Sequence, residues 1–217
     1  MARDDDRNPH QLIRIDARNC FVESKSDFFQ YSKAHLEFMT YDTAKAEGSR
    51  ATNRVHIYVA MSEFLQLSNE ALTGIIHSQM HRNKQRLADK ENPPGDAERK
   101  RLTAPLYESM GGTSAEHMKE RRADGMGQSR VFRIFAGERQ DYLLCAESGP
   151  GKADAKGLIV PQYGNKPEHR VSVAMSWRSL NQLLQMTQIH YAAWLTALYH
   201  KKANGNNYGN ADGTKEG

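Results

Sequence analysis

A four-residue string occurs twice in this chain, as Val59-Ala60-Met61-Ser62 and again as Val173-Ala174-Met175-Ser176. Each copy stands where the hydrophobic period changes. Ahead of the first, Val55, Ile57 and Val59 alternate with His56 and Tyr58, the period-2 pattern of a strand. Behind it, Phe64, Leu65, Leu67, Leu72, Ile75, Ile76 and Met80 fall on a helical stripe. The second copy follows the strand pattern of residues 170–175 and precedes a stripe of Leu180, Leu183, Leu184, Ile189, Trp194 and Leu198. In both, the serine stands where a helix needs a side-chain oxygen for its first free N–H groups. The shared junction indicates a duplicated unit of several strands followed by one helix. A repeat this long lies outside the solenoid range, so the expected fold is pseudo-two-fold rather than an array.

The remaining pattern fills in the two units. Residues 1–10 read as a disordered leader. Within 11–90, strands are expected at 12–15, 20–22, 27–33, 35–41 and 55–59, then one helix from 62 to about 87. Residues 91–129 carry Pro93-Pro94, Gly111-Gly112 and dense charge, and read as a partly mobile linker with a possible short helix over 97–110. The second unit, 130–202, has strand patterns at 131–135, 142–146, 158–161 and 170–175 before its helix. Gly149 to Gly157 reads as a flexible basic loop. The Gly/Asn-rich tail 203–217 reads as disordered. The expected class is α+β: a duplicated ββββα unit with two curved antiparallel sheets and helices packed between them.

Composition narrows the function classes. Thirty Lys and Arg against 26 Asp and Glu give a formal charge of +4 and a pI near 9.0, which permits a polyanionic ligand without demanding one. No stretch approaches a membrane span, and the polar start lacks the apolar core of a secretory signal. The two cysteines, Cys20 and Cys145, form no metal-binding cluster and read as reduced core thiols, so a cytoplasmic (or organellar matrix) setting is expected. Gly149-Pro150-Gly151-Lys152-Ala153 fails the phosphate-loop pattern at both ends. No catalytic constellation or cofactor fingerprint stands out, so neither an enzyme nor a cofactor is expected. His77 and His81 share a helix face at i, i+4. With no HExxH and no third ligand evident, they read as surface histidines, and no metal is assigned.

A duplicated sheet-plus-helix unit of this order, length and basic pI resembles the Whirly and PC4-like single-strand-binding fold. This group includes plant Whirly proteins and kinetoplastid guide-RNA-binding proteins. The resemblance spans about residues 12–202 and rests on topology and the two strand-into-helix junctions rather than on a specific motif. It implies a homo-oligomer (dimer or tetramer) with helices inside and single-stranded nucleic acid across the sheets.

Two surfaces are the expected contacts. In the first, drawn from Lys25, Phe28, Phe29, Tyr31 and Lys33, aromatics interleave with cations, so that bases stack while phosphates meet ammonium groups. Alternation places Phe29, Tyr31 and Lys33 on one face and Phe28 on the other. The second joins Arg133 and Phe135 to Arg139 and Tyr142, with Phe132 and Ile134 turned to the core. Lys152, Lys156, Lys166 and Arg170 extend a phosphate track. The expected function is sequence-tolerant binding of single-stranded DNA, or RNA. The alternative is a protein-interaction scaffold with no nucleic-acid ligand.

Overall fold

The computed structural model describes residues 8–46 and 49–207. The leader residues 1–7 and tail residues 208–217 lie outside them. The first unit is a four-stranded antiparallel meander, β1 (Gln11–Asp16), β2 (Cys20–Lys25), β3 (Lys33–Tyr41) and β4 (Ala51–Ala60), with neighbours in chain order. β4 runs straight into α1 (Met61–Leu72), which α2 (Ile75–Leu87) follows. The second unit holds β6 (Gly127–Ala136), β7 (Tyr142–Ala153), β8 (Ile159–Pro161) and β9 (His169–Met175), then α5 (Trp177–Asn207). Between the units come α3 (Asp96–Leu102), β5 (Tyr107–Thr113) and α4 (Ala115–Met118).

Alternation carries the strands. In β3, Ala34, Leu36 and Phe38 enter the core, and their cross-strand partners Val59, Ile57 and Val55 in β4 join them. In the second sheet β7 pairs with β6 along its length on one side. On the other it pairs first with β9, through Tyr142–Ser148, and then with β8, through Gly151–Ala153. Phe38 meets Phe132 of β6 with ring centroids 5.7 Å apart, so the two sheets touch directly. One cluster of buried side chains takes in both sheets together with Phe64 and Leu67 of α1, Met80 of α2, and Leu180, Leu183 and Leu184 of α5. The α+β class and the two antiparallel sheets are as expected.

Several segments differ from the sequence reading. Residues 27–32 are not a strand: Phe29–Tyr31 form a 3-10 turn, closed by Ser32 in the left-handed region at φ 52°, and β3 begins only at Lys33. The Ser32 carbonyl accepts the Met61 N–H at 2.8 Å, which ties this turn to the start of α1. The helix expected from 62 onward breaks at Thr73-Gly74, where Gly74 takes φ 78°. Such a φ is cheap only for glycine, so the stripe continues while the backbone does not. The expected linker contains β5, a strand paired with β6 from Tyr107 to Thr113. Most of the expected basic loop at 149–157 is the far end of β7. The tail from 203 begins as the last turn of α5.

The two serines of the repeat separate. Ser176 caps α5, its Oγ accepting the Ser179 N–H at 3.2 Å, an interaction worth about 1 kcal/mol. Ser62 makes no such bond, because α1 already begins at Met61 directly from Ala60. Both cysteines are free. Cys145 is buried, and the Cys20 thiol donates to the Ser172 carbonyl at 3.3 Å. Among the described residues no helix is long and apolar enough to cross a membrane.

Candidate nucleic-acid interface

The face of the first sheet turned from the core carries Glu23 and Lys25 on β2, His35 and Glu37 on β3, and Arg54, His56 and Tyr58 on β4. Register sets Glu23 opposite Glu37 and Glu37 opposite His56. Like charges face to face repel, and Lys25 resolves the repulsion by reaching Glu23 at 3.0 Å and bonding Glu37 as well. Arg54 donates to the other Glu37 oxygen at 2.9 Å. Burial opposes the charge on Glu37, but the Lys25 bond and the nearby Lys25, His56 and Arg54 hold its carboxyl below the usual range. Burial likewise opposes the Lys25 charge, and Glu37 and Glu23 outweigh it.

Beside this network burial keeps two histidines neutral. His35 is lowered by desolvation against the pull of Asp27, and His56 falls to about 4 mainly by desolvation. With both neutral, His35 donates from Nδ1 to Asp27 at 2.8 Å, and its Nε2 accepts from Nδ1 of His56 at 3.0 Å. The His35 ring stacks on Tyr58 with centroids 4.7 Å apart. This has a stability consequence. Unfolded, His56 titrates near 6.5, so between that pH and about 4 the unfolded chain binds more protons than the folded one. The contribution is complete above the unfolded value and is lost as pH falls through the window. Because the His56 side chain is 35% exposed, solvent screening reduces the expected loss to about 1–2 kcal/mol. Urea unfolding at about pH 7 and about pH 5 measures it, and His56→Gln is expected to show the smaller difference. Equal differences in parent and variant would remove His56 as the cause.

Tyr58 leads outward to a groove along the β4 edge. Two adjoining cavities, about 600 and 540 Å³, lie between β4 and the β5–β6 pair with the α4 segment. Thr113, Arg121 and Arg130 line both. His56, His117 and His169 line the first, and Phe28, Lys33 and Tyr58 the second. The Arg130 guanidinium lies over the Tyr58 ring, 5.3 Å from its centroid, and donates to Thr113 Oγ1 at 3.0 Å. Neither Arg121 nor Arg130 has a carboxylate partner among the described residues, and burial depresses the pKa of Arg130. Tyr58 continues into Phe28, with centroids 4.4 Å apart, and Phe28 into Tyr31, 5.6 Å apart. The result is a ladder of rings ending under an unpaired, half-buried cation. Geometrically it offers flat faces for stacking and an open fork for an anion.

Of the expected contacts, the structure brings few to this groove. Lys33 lines it, and Tyr31, 63% exposed, stands at the end of its ring ladder. Lys25 is buried between two carboxylates, and Phe29 is in the core at 1% exposure against Tyr191 and Trp194. Both corrections follow from local structure: a 3-10 turn lacks the alternation assumed for 27–33, so Phe29 points in and Phe28 out. On the second sheet, Phe132 and Ile134 are core and Arg133 faces away, as expected. There Arg133 is held by Glu108 and by Glu147 at 2.9 Å, and Arg170 lies 3.5 Å from Glu147. Tyr142 is buried rather than available. Phe135 is half-buried, and Arg139, Lys152, Lys156 and Lys166 are exposed and do not line the groove, although Lys156 directly precedes Gly157, which does. The sequence reading missed Tyr58, Arg121 and Arg130, and turned Phe28 to the wrong face. Comparison with family models, curated proteins and solved structures finds no match.

Proposed function

We propose that the groove beside β4 binds single-stranded nucleic acid, with bases stacked on Tyr58, Phe28 and Tyr31 and backbone phosphates on Arg121 and Arg130. The observation that carries this reading is Arg130, a half-buried guanidinium over an aromatic ring with no carboxylate beside it among the described residues. Keeping a charge partly desolvated and unpaired is unfavourable, and an anionic ligand supplies the missing partner. Lys33, Arg54, Lys119, Arg121 and Arg130 outnumber Glu63, Glu116 and Glu120 in the lining of the two cavities, so the groove keeps a positive balance spread over both rather than gathered at a point. Extended charge suits a polyanion. The ring faces favour unpaired bases, since duplex bases already stack on one another. This is the ligand class implied by the Whirly-like resemblance, here assigned to the edge of one sheet.

Fluorescence anisotropy with a labelled strand of about 30 nucleotides, and with its duplex, tests the reading across about 50–200 mM salt. Single-strand binding that exceeds duplex binding and falls with salt is the expected result. No binding of either at low salt would overturn it and leave the scaffold role as the better account.

A further inference from the structure

We propose that His77 and His81 form a two-imidazole binding site for a divalent transition ion of the nickel(II) and copper(II) class, independent of the groove. Sequence spacing alone places the two residues one turn apart on α2, which is common for surface histidines. The structure adds convergence: their Nε2 atoms lie 3.0 Å apart, with ring centroids at 4.4 Å and planes at 84°. Without a metal this is a hydrogen-bond distance between the two rings; at a metal–nitrogen bond of about 2.05 Å both nitrogens also come within reach of one shared ion, which displaces the bridging proton. With two imidazoles and no third protein ligand among the described residues, the site suits nickel(II) or copper(II), which accept water in their remaining positions, better than structural zinc, which takes four protein ligands.

The next layer of contacts fits the same role. His77 Nδ1 lies 3.2 Å from Tyr142 Oη. With Nε2 on a metal, Nδ1 carries the proton and donates to the phenol oxygen, fixing ring and tautomer as outer partners of metal-bound histidines do. His77 is half-buried and His81 exposed, so the other coordination positions face solvent and take water. Among the described residues no third His, Cys, Asp or Glu joins the pair, so the site is open. The Trp177 ring, 5.2 Å from His77, supplies an optical reporter.

The test is calorimetric titration of the untagged, metal-free full chain with nickel chloride, alongside tryptophan emission. A single nickel ion per chain with quenching is expected. His81→Ala, which removes an exposed side chain, is expected to abolish both with unchanged circular dichroism. Tyr142→Phe keeps the buried ring and is expected to weaken binding about tenfold. Copper(II) in place of nickel should give a paramagnetic resonance spectrum with coupling to two nitrogens, reduced to one or none in His81→Ala. No nickel binding, or His81→Ala binding as tightly as the parent, overturns the assignment. The latter result would place the ion on others of the chain's nine histidines.

Discussion

Arg130→Gln is expected to weaken binding of a single-stranded oligonucleotide by roughly ten- to a hundredfold, the factor equivalent to about 1.5–3 kcal/mol for one charge-assisted hydrogen bond. The slope of log affinity against log salt should fall by about 0.7, the share of one single-strand phosphate contact. Glutamine removes the charge and, being shorter, gives up the Nη1 bond to Thr113 Oγ1 and the contact over Tyr58, but leaves the buried apolar cluster untouched, so the fold is expected to stand. Arg133→Gln is the informative control. It is the stronger candidate from sequence, yet Glu108 and Glu147 already hold its charge, so little change in affinity is expected. The reverse outcome, with Arg133→Gln crippling and Arg130→Gln neutral, would move the ligand to the outer face of the second sheet and sink the groove. Anisotropy titrations of the two variants beside the parent decide between these surfaces.

Most strands and the strand-into-helix junctions were legible because they rest on local signals. Val55, Ile57 and Val59 alternate, and the change of period after Met61 marks a helix without knowledge of any partner. β5 was not legible. Tyr107, Ser109 and Gly111 give its half-buried face little apolar content, and pairing with β6 rather than intrinsic propensity makes it a strand. Gly74 was visible as a residue, but nothing in the stripe around it requires a left-handed turn. The site was hidden for a different reason. Arg130 meets Tyr58 across the two units, and Thr113 reaches it from the segment read as a linker. No spacing rule connects such positions. Phe28 and Phe29 show how far a wrong period carries: reading a 3-10 turn as a strand exchanged the buried ring for the exposed one.

Phe38→Ala tests whether the two sheet-plus-helix halves fold as two units or one. The ring is fully buried in β3 of the first unit, and it packs on Phe132 of the second, which in turn meets Tyr107 of β5. Removing it is expected to cost about 3–5 kcal/mol, from lost transfer energy and an incompletely collapsed cavity. Against a total stability of about 5–15 kcal/mol this is a large fraction, and it lowers the melting midpoint by roughly 6–20 °C. Because the apolar cluster runs through both sheets and both helix groups, the loss must be felt everywhere at once. The variant should still unfold in one transition, with circular dichroism and tryptophan emission coincident. Trp194 reports on the shared core through its contact with Phe29 of the first unit, although it belongs to α5 of the second. A biphasic melt, with part of the signal unmoved from the parent midpoint, would instead mean that the second unit holds together alone. The Phe38–Phe132 contact would then be a docking surface between separately folded halves, and the groove between them would open without either half unfolding.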